Sequence, residues 1–205
     1  ILCRNRFEMN RLNSCAKAPA TVAGIEAMEP DSILYDVGAN VGVYSLIAAA
    51  NDIFEVYAFE PGDANYAALV ENIDLASYGD CITPLRIALS SRNGQFNLRY
   101  SSPEAGAALH ELEFKLGTTM TRRLDDLEDT LLLPDYIKID VDGHEVHVLH
   151  GGPNLLRKVH SVMVEVAVRN VEDVMVQMKA AGLQFKSKRL RNPRNGDENY
   201  LFERA

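Results

Sequence analysis

The chain has 205 residues, 47% of them hydrophobic and 24% charged, the profile of one ordinary globular domain with a substantial core. Its formal net charge of −8 disfavours a nucleic-acid partner, because non-specific affinity for a phosphate backbone comes largely from lysine and arginine releasing counterions. Cys3, Cys15 and Cys81 contain no CxxC pair, which implies neither a disulfide framework nor a metal cluster and fits a reducing, cytoplasmic setting; no apolar run reaches the roughly 18 residues of a membrane span.

Residues 1 to 30 read as a helical or irregular N-terminal segment ahead of a main domain over 31 to 205. "ILYDV" at 33 to 37 reads as a buried strand, and Val43, Leu46, Ile47 and Ala50 then mark one face of a helix. "FEVYAFEP" at 54 to 61 is a second strand stopped by Pro61, followed by a helix through Tyr66, Leu69, Val70 and Ile73. "CITPLRIAL" at 81 to 89 is a third, with Pro84 marking an edge or a bend. Asn93 and Gly94 signal a hairpin turn, 101 to 117 reads as a surface loop, "MTRRL" as a short strand and "DDLEDTLL" as a short acidic helix. "YIKID" at 136 to 140 is a fourth strand that ends, like the first, in an aspartate before a glycine and a helix. "HSVMVEVA" at 160 to 167 is a fifth, Val171, Val174, Met175 and Met178 give a helix, and Gly182 stands at its C-terminal cap. "LQFKSKRL" and "NYLFERA" flank a polar turn at 192 to 199 and form a closing hairpin. Lys186, Lys188, Arg189, Arg191 and Arg194 in that region read as a solvated face.

Strands alternating with helices imply an α/β fold: a mostly parallel sheet covered on both faces, with one antiparallel strand added at the end. Ligands of such sheets bind beyond the C-terminal strand ends, where Asp36, Glu60, Asp140 and Glu165 all fall. The loop "GANVG" at 38 to 42 can pass close beneath a ligand, and the helix start that follows offers amide donors to an anion. Glu60, 18 residues after Gly42, can accept two hydrogen bonds from a ribose diol. A nucleoside-bearing cofactor follows. A dinucleotide needs GxGxxG, and Asn40 stands at its second glycine, which weakens that reading. S-adenosylmethionine suits the loop better, its carboxylate meeting amides and its cationic groups meeting Asp36 and Asp140.

The blocks "YDVGANVGVYSLIAA", "VYAFEP", "IALSSRNG", "RRLDDL" and "YIKIDVDGHEVHVLHGG" occur in the order seen in FkbM-like methyltransferases, which the chain resembles over residues 33 to about 167. "NYLFER" is similar to the last strand of the class I methyltransferase sheet, so the resemblance implies a Rossmann-like sandwich with a seven-stranded sheet. It also implies that Asp36, Gly38, Asn40, Gly42, Tyr44 and Ser45 surround the methionine end of S-adenosylmethionine, that Glu60 binds the ribose while Pro61 shapes the turn, and that Ile87, Ala88 and Ser90 border the adenine. The family more often has glutamate where this chain has Asp142, one methylene shorter.

Methyl transfer chiefly requires alignment of acceptor, methyl and sulfur, and a hydroxyl acceptor must also lose a proton. Asp140, Asp142, His144 and Glu145 are the candidate bases, with Asp140, Asp142 and Glu145 expected to act on the acceptor. His144, His147 and His150 lie on one side of a helix, but HExH is not the HExxH of zinc proteases, and packed or solvated histidines are the simpler reading. His110 and Glu165 are further candidates for lining the acceptor pocket, which is expected from 1 to 30, 101 to 117 and 186 to 198. The reading that results is O-methylation of a hydroxyl on a sugar or other small molecule. A methyltransferase for a protein or nucleic-acid nitrogen, a nicotinamide-dependent oxidoreductase and a binding module with a vestigial site remain as alternatives.

Overall fold

A computed structural model describes residues 1–99, 102–107, 111–190 and 198–205. Three short helices, α1 (Arg6–Leu12), α2 (Ser14–Lys17) and α3 (Pro19–Glu26), precede the alternating part of the chain. There β1 (Ile33–Val37), α4 (Val43–Ala50), β2 (Glu55–Phe59), α5 (Asp63–Ala76) and β3 (Ile82–Leu85) follow one another. The strands β4 (Ala88–Leu89), β5 (Gly94–Arg99), β6 (Glu111–Leu116) and β7 (Thr119–Arg122) come next. β8 (Tyr136–Ile139), α6 (Glu145–His150), β9 (Ser161–Val166), α7 (Val171–Ala180), β10 (Leu183–Leu190) and β11 (Glu198–Arg204) complete the order.

The main sheet has seven strands in the order β10-β11-β9-β8-β1-β2-β3. The five from β9 to β3 are parallel, whereas β11 pairs antiparallel with both β9 and β10. This is the expected doubly covered sheet with a closing hairpin; the turn between the last two strands falls outside the described residues. Burial of both faces of the sheet explains why its strands read as continuous apolar runs. Tyr35, Val37, Tyr57, Phe59, Ile137 and Ile139 pack with Leu149 of α6 and Met178 of α7 in one core. Leu34, Val56 and Ala58 face the other side, packing with Ile25 of α3, Ala48 of α4 and Leu69 of α5. Pro84 lies in β3, the edge strand, where a missing amide leaves no ladder bond unmade on the solvent side.

Five local expectations are corrected. "CITPLRIAL" is not one strand: β3 ends at Leu85, and β4 joins a separate four-stranded sheet in the order β4-β7-β5-β6. Asn93 and Gly94 close no hairpin, because β7 lies between β4 and β5; the Asn93 side chain instead donates to Asp126 and accepts from the Arg123 amide. Within 101 to 117, residues 111–116 form β6, paired with β5. The acidic stretch is only a 3₁₀ turn over Leu124–Leu127. In α4 the deepest face is Tyr44, Ser45, Ala48 and Ala49, with Leu46 and Ile47 half-buried and Ala50 exposed, because α4 is pressed between the sheet and α3.

Candidate functional site

One cavity opens at the C-terminal ends of β1, β2 and β8, at the topological position where open α/β sheets bind ligands. Gly38 and Asn40 from the loop after β1, Glu60 and Pro61 after β2, Asn65 of α5, and Ile87 and Ala88 at β4 line it. Leu98 of β5, Ala107, and Asp140, Asp142 and His144 after β8 complete the wall.

The glycine loop is shaped by the protein around it. Gly38 has φ +80°, and a side-chain carbon there would stand 2.0 Å from the Asp140 carbonyl oxygen, so glycine is what lets the ends of β1 and β8 meet. Gly42 faces Leu69 of α5 and lies outside the cavity wall. The loop amides, expected as anion donors, are engaged internally. Those of Gly38 and Ala39 donate to the Phe59 carbonyl, that of Asn40 to Glu60 Oε2 at 2.9 Å, that of Val41 to its neighbour's Oδ1, and that of Gly42 to the Ala39 carbonyl.

Glu60 is 4% exposed and held by the Asn40 amide, the Gly62 amide at 2.8 Å and Asn65 Nδ2 at 3.4 Å. Burial pushes its carboxyl up to about 7 against the pull of those hydrogen bonds and of Arg11. Asn65, which carried no signal in the sequence, also receives the Gly106 amide on Oδ1.

Asp36 does not line the cavity. It is fully buried, with Oδ1 2.7 Å from Lys138 Nζ and Oδ2 accepting from Ser45 at 2.7 Å. Register explains the pairing: Asp36 and Lys138 are direct neighbours on β1 and β8 and point to the same face. Burial works to lower the Lys138 ammonium, but Asp36 and Asp140 outweigh it and hold it above its ordinary value. Tyr44 sets its ring 4.8 Å from the same ammonium. Asp36, Tyr44 and Ser45 thus tie the loop and α4 to β8, and none of the three is part of the cavity lining.

Asp140 and Asp142 do reach the cavity. Asp142 and Gly143 have φ of +48° and +97°, a left-handed pair that bends the chain sharply away from β8. Gly143 admits the Arg169 guanidinium, whose Nη2 lies 2.1 Å from where a side-chain carbon would stand. His144 makes a 3.1 Å contact from Nε2 to the buried Ser90 hydroxyl and stacks on His147. Burial, reinforced by His147, pushes its imidazole down to about 4. Glu145 is 1% exposed, receives the Ala167 amide on Oε1 and Asn170 Nδ2 on Oε2, and lies outside the cavity lining. Glu165 lies on β9 opposite Asn199 and outside the lining, and His110 falls outside the described residues. Among the described residues no group of three or more histidines, cysteines or carboxylates is placed to hold a metal ion, and no helix is long and apolar enough to cross a membrane.

Residues 36–185 match the methyltransferase FkbM domain. The hexuronic acid methyltransferase AglP of Haloferax volcanii is 33% identical over 184 residues, 88% of this chain and 73% of that protein. Among solved structures, methyltransferase FkbM from Methylobacillus flagellatus KT aligns with a TM-score of 0.63 at 17% identity, over 85% of this chain. The chain spans 44% of that protein's length. Magnesium protoporphyrin IX methyltransferase from Synechocystis PCC 6803, solved with bound S-adenosylmethionine, gives a TM-score of 0.63 at 13% identity, covering 100% of this chain and 87% of its own. These structures share the class I methyltransferase fold with it.

Proposed function

We propose, from the premise that the chain belongs to the FkbM methyltransferase family, that it transfers the methyl group of S-adenosylmethionine to a hydroxyl oxygen of a sugar. The observation that carries this reading is Glu60: a carboxylate at the end of β2, buried yet part of the cavity wall, beside an apolar shelf of Ile87, Ala88 and Leu98. A nucleoside suits that donor set, with ribose hydroxyls donating to Glu60 and the purine lying along the shelf. Neither Lys nor Arg lines the cavity among the described residues, which favours a cofactor bearing no phosphate.

When bound, S-adenosylmethionine supplies a methyl carbon already activated by its sulfonium. The chain's own residues then have to align the acceptor, keep water out and take up one proton, and alignment alone can be worth about 7 to 11 kcal/mol. In this reading Asp140 receives the proton of the acceptor hydroxyl and Asp142 orients the sugar, since both reach the cavity from the loop after β8. A placed base of this kind typically contributes about 10²- to 10⁴-fold. The relative's acceptor is named a hexuronic acid, and an acidic sugar would find Arg169 against Gly143, between Asp142 and His144.

Calorimetry with S-adenosylhomocysteine and with NAD tests the cofactor, and incubation with S-adenosylmethionine and a panel of uronic acids and neutral hexoses tests the acceptor. The expected result is S-adenosylhomocysteine binding, no NAD binding, and a gain of about 14 Da, one CH₂, on the sugar. Tight binding of NAD alone would defeat the proposal. Glu60→Gln is expected to weaken S-adenosylhomocysteine binding by about tenfold or more, the loss of a charge-assisted hydrogen bond.

A further inference from the structure

Residues 1–35 lie outside the family match, yet the N-terminal segment through α1 is knitted to the cavity at two points. The Leu2 amide donates to Asn72 Oδ1 at 2.7 Å, and Asn72 Nδ2 donates to the carbonyl of Val41 in the glycine loop at 2.9 Å. Nine residues on, Arg11 Nε donates to the Gly106 carbonyl at 2.9 Å. Gly106 has φ +83°, and a side-chain carbon there would lie 2.6 Å from the Glu8 amide nitrogen, so this contact is backbone against backbone. The segment that Arg11 grips is the one that enters the cavity. The Gly106 amide donates to Asn65 Oδ1 at 2.8 Å, and the carbonyl of Ala107 accepts from Asn40 Nδ2 at 2.7 Å and from Asn65 Nδ2 at 3.3 Å. Ala107 is 1% exposed and lines the cavity.

The two residues that clamp Ala107 are therefore two of the three that hold Glu60, Asn40 through its amide and Asn65 through its side chain. α1 itself is fixed: Asn5 Oδ1 caps it by accepting from the Phe7 and Glu8 amides, and Arg4 bridges Glu8 to Glu71 of α5.

Resting on the cofactor reading above, we infer that Arg11 is a positioning residue for cofactor binding: it holds residues 106 and 107 as the wall over Glu60, so that the N-terminal helix sets how tightly the nucleoside is retained. The cation also reaches Glu60 itself, favouring the charged carboxylate against burial. Because the wall is built from backbone carbonyls gripped by side chains, its position depends on a donor at residue 11 and on the absence of a side chain at 106.

The test compares Arg11→Met with Arg11→Lys, which keeps a cationic donor. Binding of S-adenosylhomocysteine is measured by calorimetry, and KM for S-adenosylmethionine against kcat by turnover of whichever uronic acid or hexose of the panel above gains the methyl group. Arg11→Met is expected to raise the dissociation constant about tenfold, to raise KM more than it lowers kcat, and to leave the unfolding temperature close to the wild type; Arg11→Lys recovers most of the affinity. Gly106→Ala approaches the same wall from its other side and is expected to show the same split. Hydrogen exchange supplies a readout independent of turnover: S-adenosylhomocysteine should slow exchange at 106, 107 and α1 in the wild type but not in Arg11→Met. Wild-type affinity in Arg11→Met, or tighter binding because the wall obstructs entry, overturns the inference while leaving the cofactor reading intact. A wild type that binds no S-adenosylhomocysteine defeats the reading and the inference together.

Discussion

Lys138 and Asp36 are 3% and 0% exposed and 2.7 Å apart. Withdrawing both charges from water is costly, and their attraction offsets that cost only where further groups satisfy them, as the Ser45 hydroxyl does for Asp36 and the Tyr44 ring face does for Lys138. Removing one partner strands the other, so Lys138→Met is expected to destabilise the protein by about 3 to 5 kcal/mol. Asp36→Asn combined with Lys138→Met should cost less than the sum of the two single substitutions. Urea unfolding of the three variants checks this, and strictly additive costs would mean that the pair is not coupled. The lysine was legible in principle: between Ile137 and Ile139, on a strand covered on both faces, a cation demands a carboxylate nearby. Which carboxylate was not legible, because a strand-end aspartate reads the same in sequence whether it points into a cavity or beneath it. Asp36 is of the second kind and Asp140 of the first.

The same ambiguity governs the loop and helix after β8, where Asp140, Asp142, His144 and Glu145 fall within six residues. The sharp bend at Asp142 and Gly143 divides them, leaving three toward the cavity and turning Glu145 onto the end of β9. Glu145→Ala would orphan the Ala167 amide, at a cost of about 1 to 3 kcal/mol, while the affinity for S-adenosylhomocysteine stays near the wild type. Asp140→Asn should do the reverse, lowering kcat about 10²-fold or more with little change in stability. Paired denaturation and kinetic measurements decide between these assignments, and a kcat loss in Glu145→Ala without loss of stability would restore that residue to the acceptor. At this scale the alternation of strands and helices and the closing hairpin were readable, since apolar runs punctuated by Asp-Val-Gly and by Pro mark the strands directly; the order of the strands in the sheet was not. Nor was the four-stranded second sheet. Its pairing of β4 with β7 joins residues more than 30 apart, and Asn93-Gly94 carries a local hairpin preference that the insertion of β7 overrides. The wall at 106 and 107 was hidden for a related reason: its hydrogen bonds run through backbone groups, which leave no trace in side-chain identity.

Across the whole molecule, the cavity places two groups of opposite charge type under the same penalty of burial, and their effects on stability run in opposite directions with pH. Glu60, raised from 4.5 to about 7, binds its proton more readily folded than unfolded, so its contribution is fully present below pH 4.5 and is lost as pH rises through 7. His144, lowered from 6.5 to about 4, releases its proton more readily folded; its contribution is present above pH 6.5 and is lost as pH falls through 4. Each shift of about 2.5 units corresponds to roughly 3 kcal/mol, spread over nearly the same interval at about 1.4 kcal/mol per pH unit. Between pH 4.5 and 6.5 the two slopes nearly cancel, so that the wild type's stability changes little with pH on account of the pair, one contribution replacing the other. Replacing one group exposes the other: relative to the wild type, Glu60→Gln should become progressively less stable as pH falls from 6.5 to 4.5, and His144→Gln progressively less stable as pH rises across that interval. Urea unfolding at half-unit steps from pH 4.5 to 7.5 provides the comparison, in which the differences from wild type cancel the titration of every other carboxylate. Curves for both variants that run parallel to the wild type would show that neither group is shifted, and with that the low-polarity environment ascribed to the cavity would have to be abandoned.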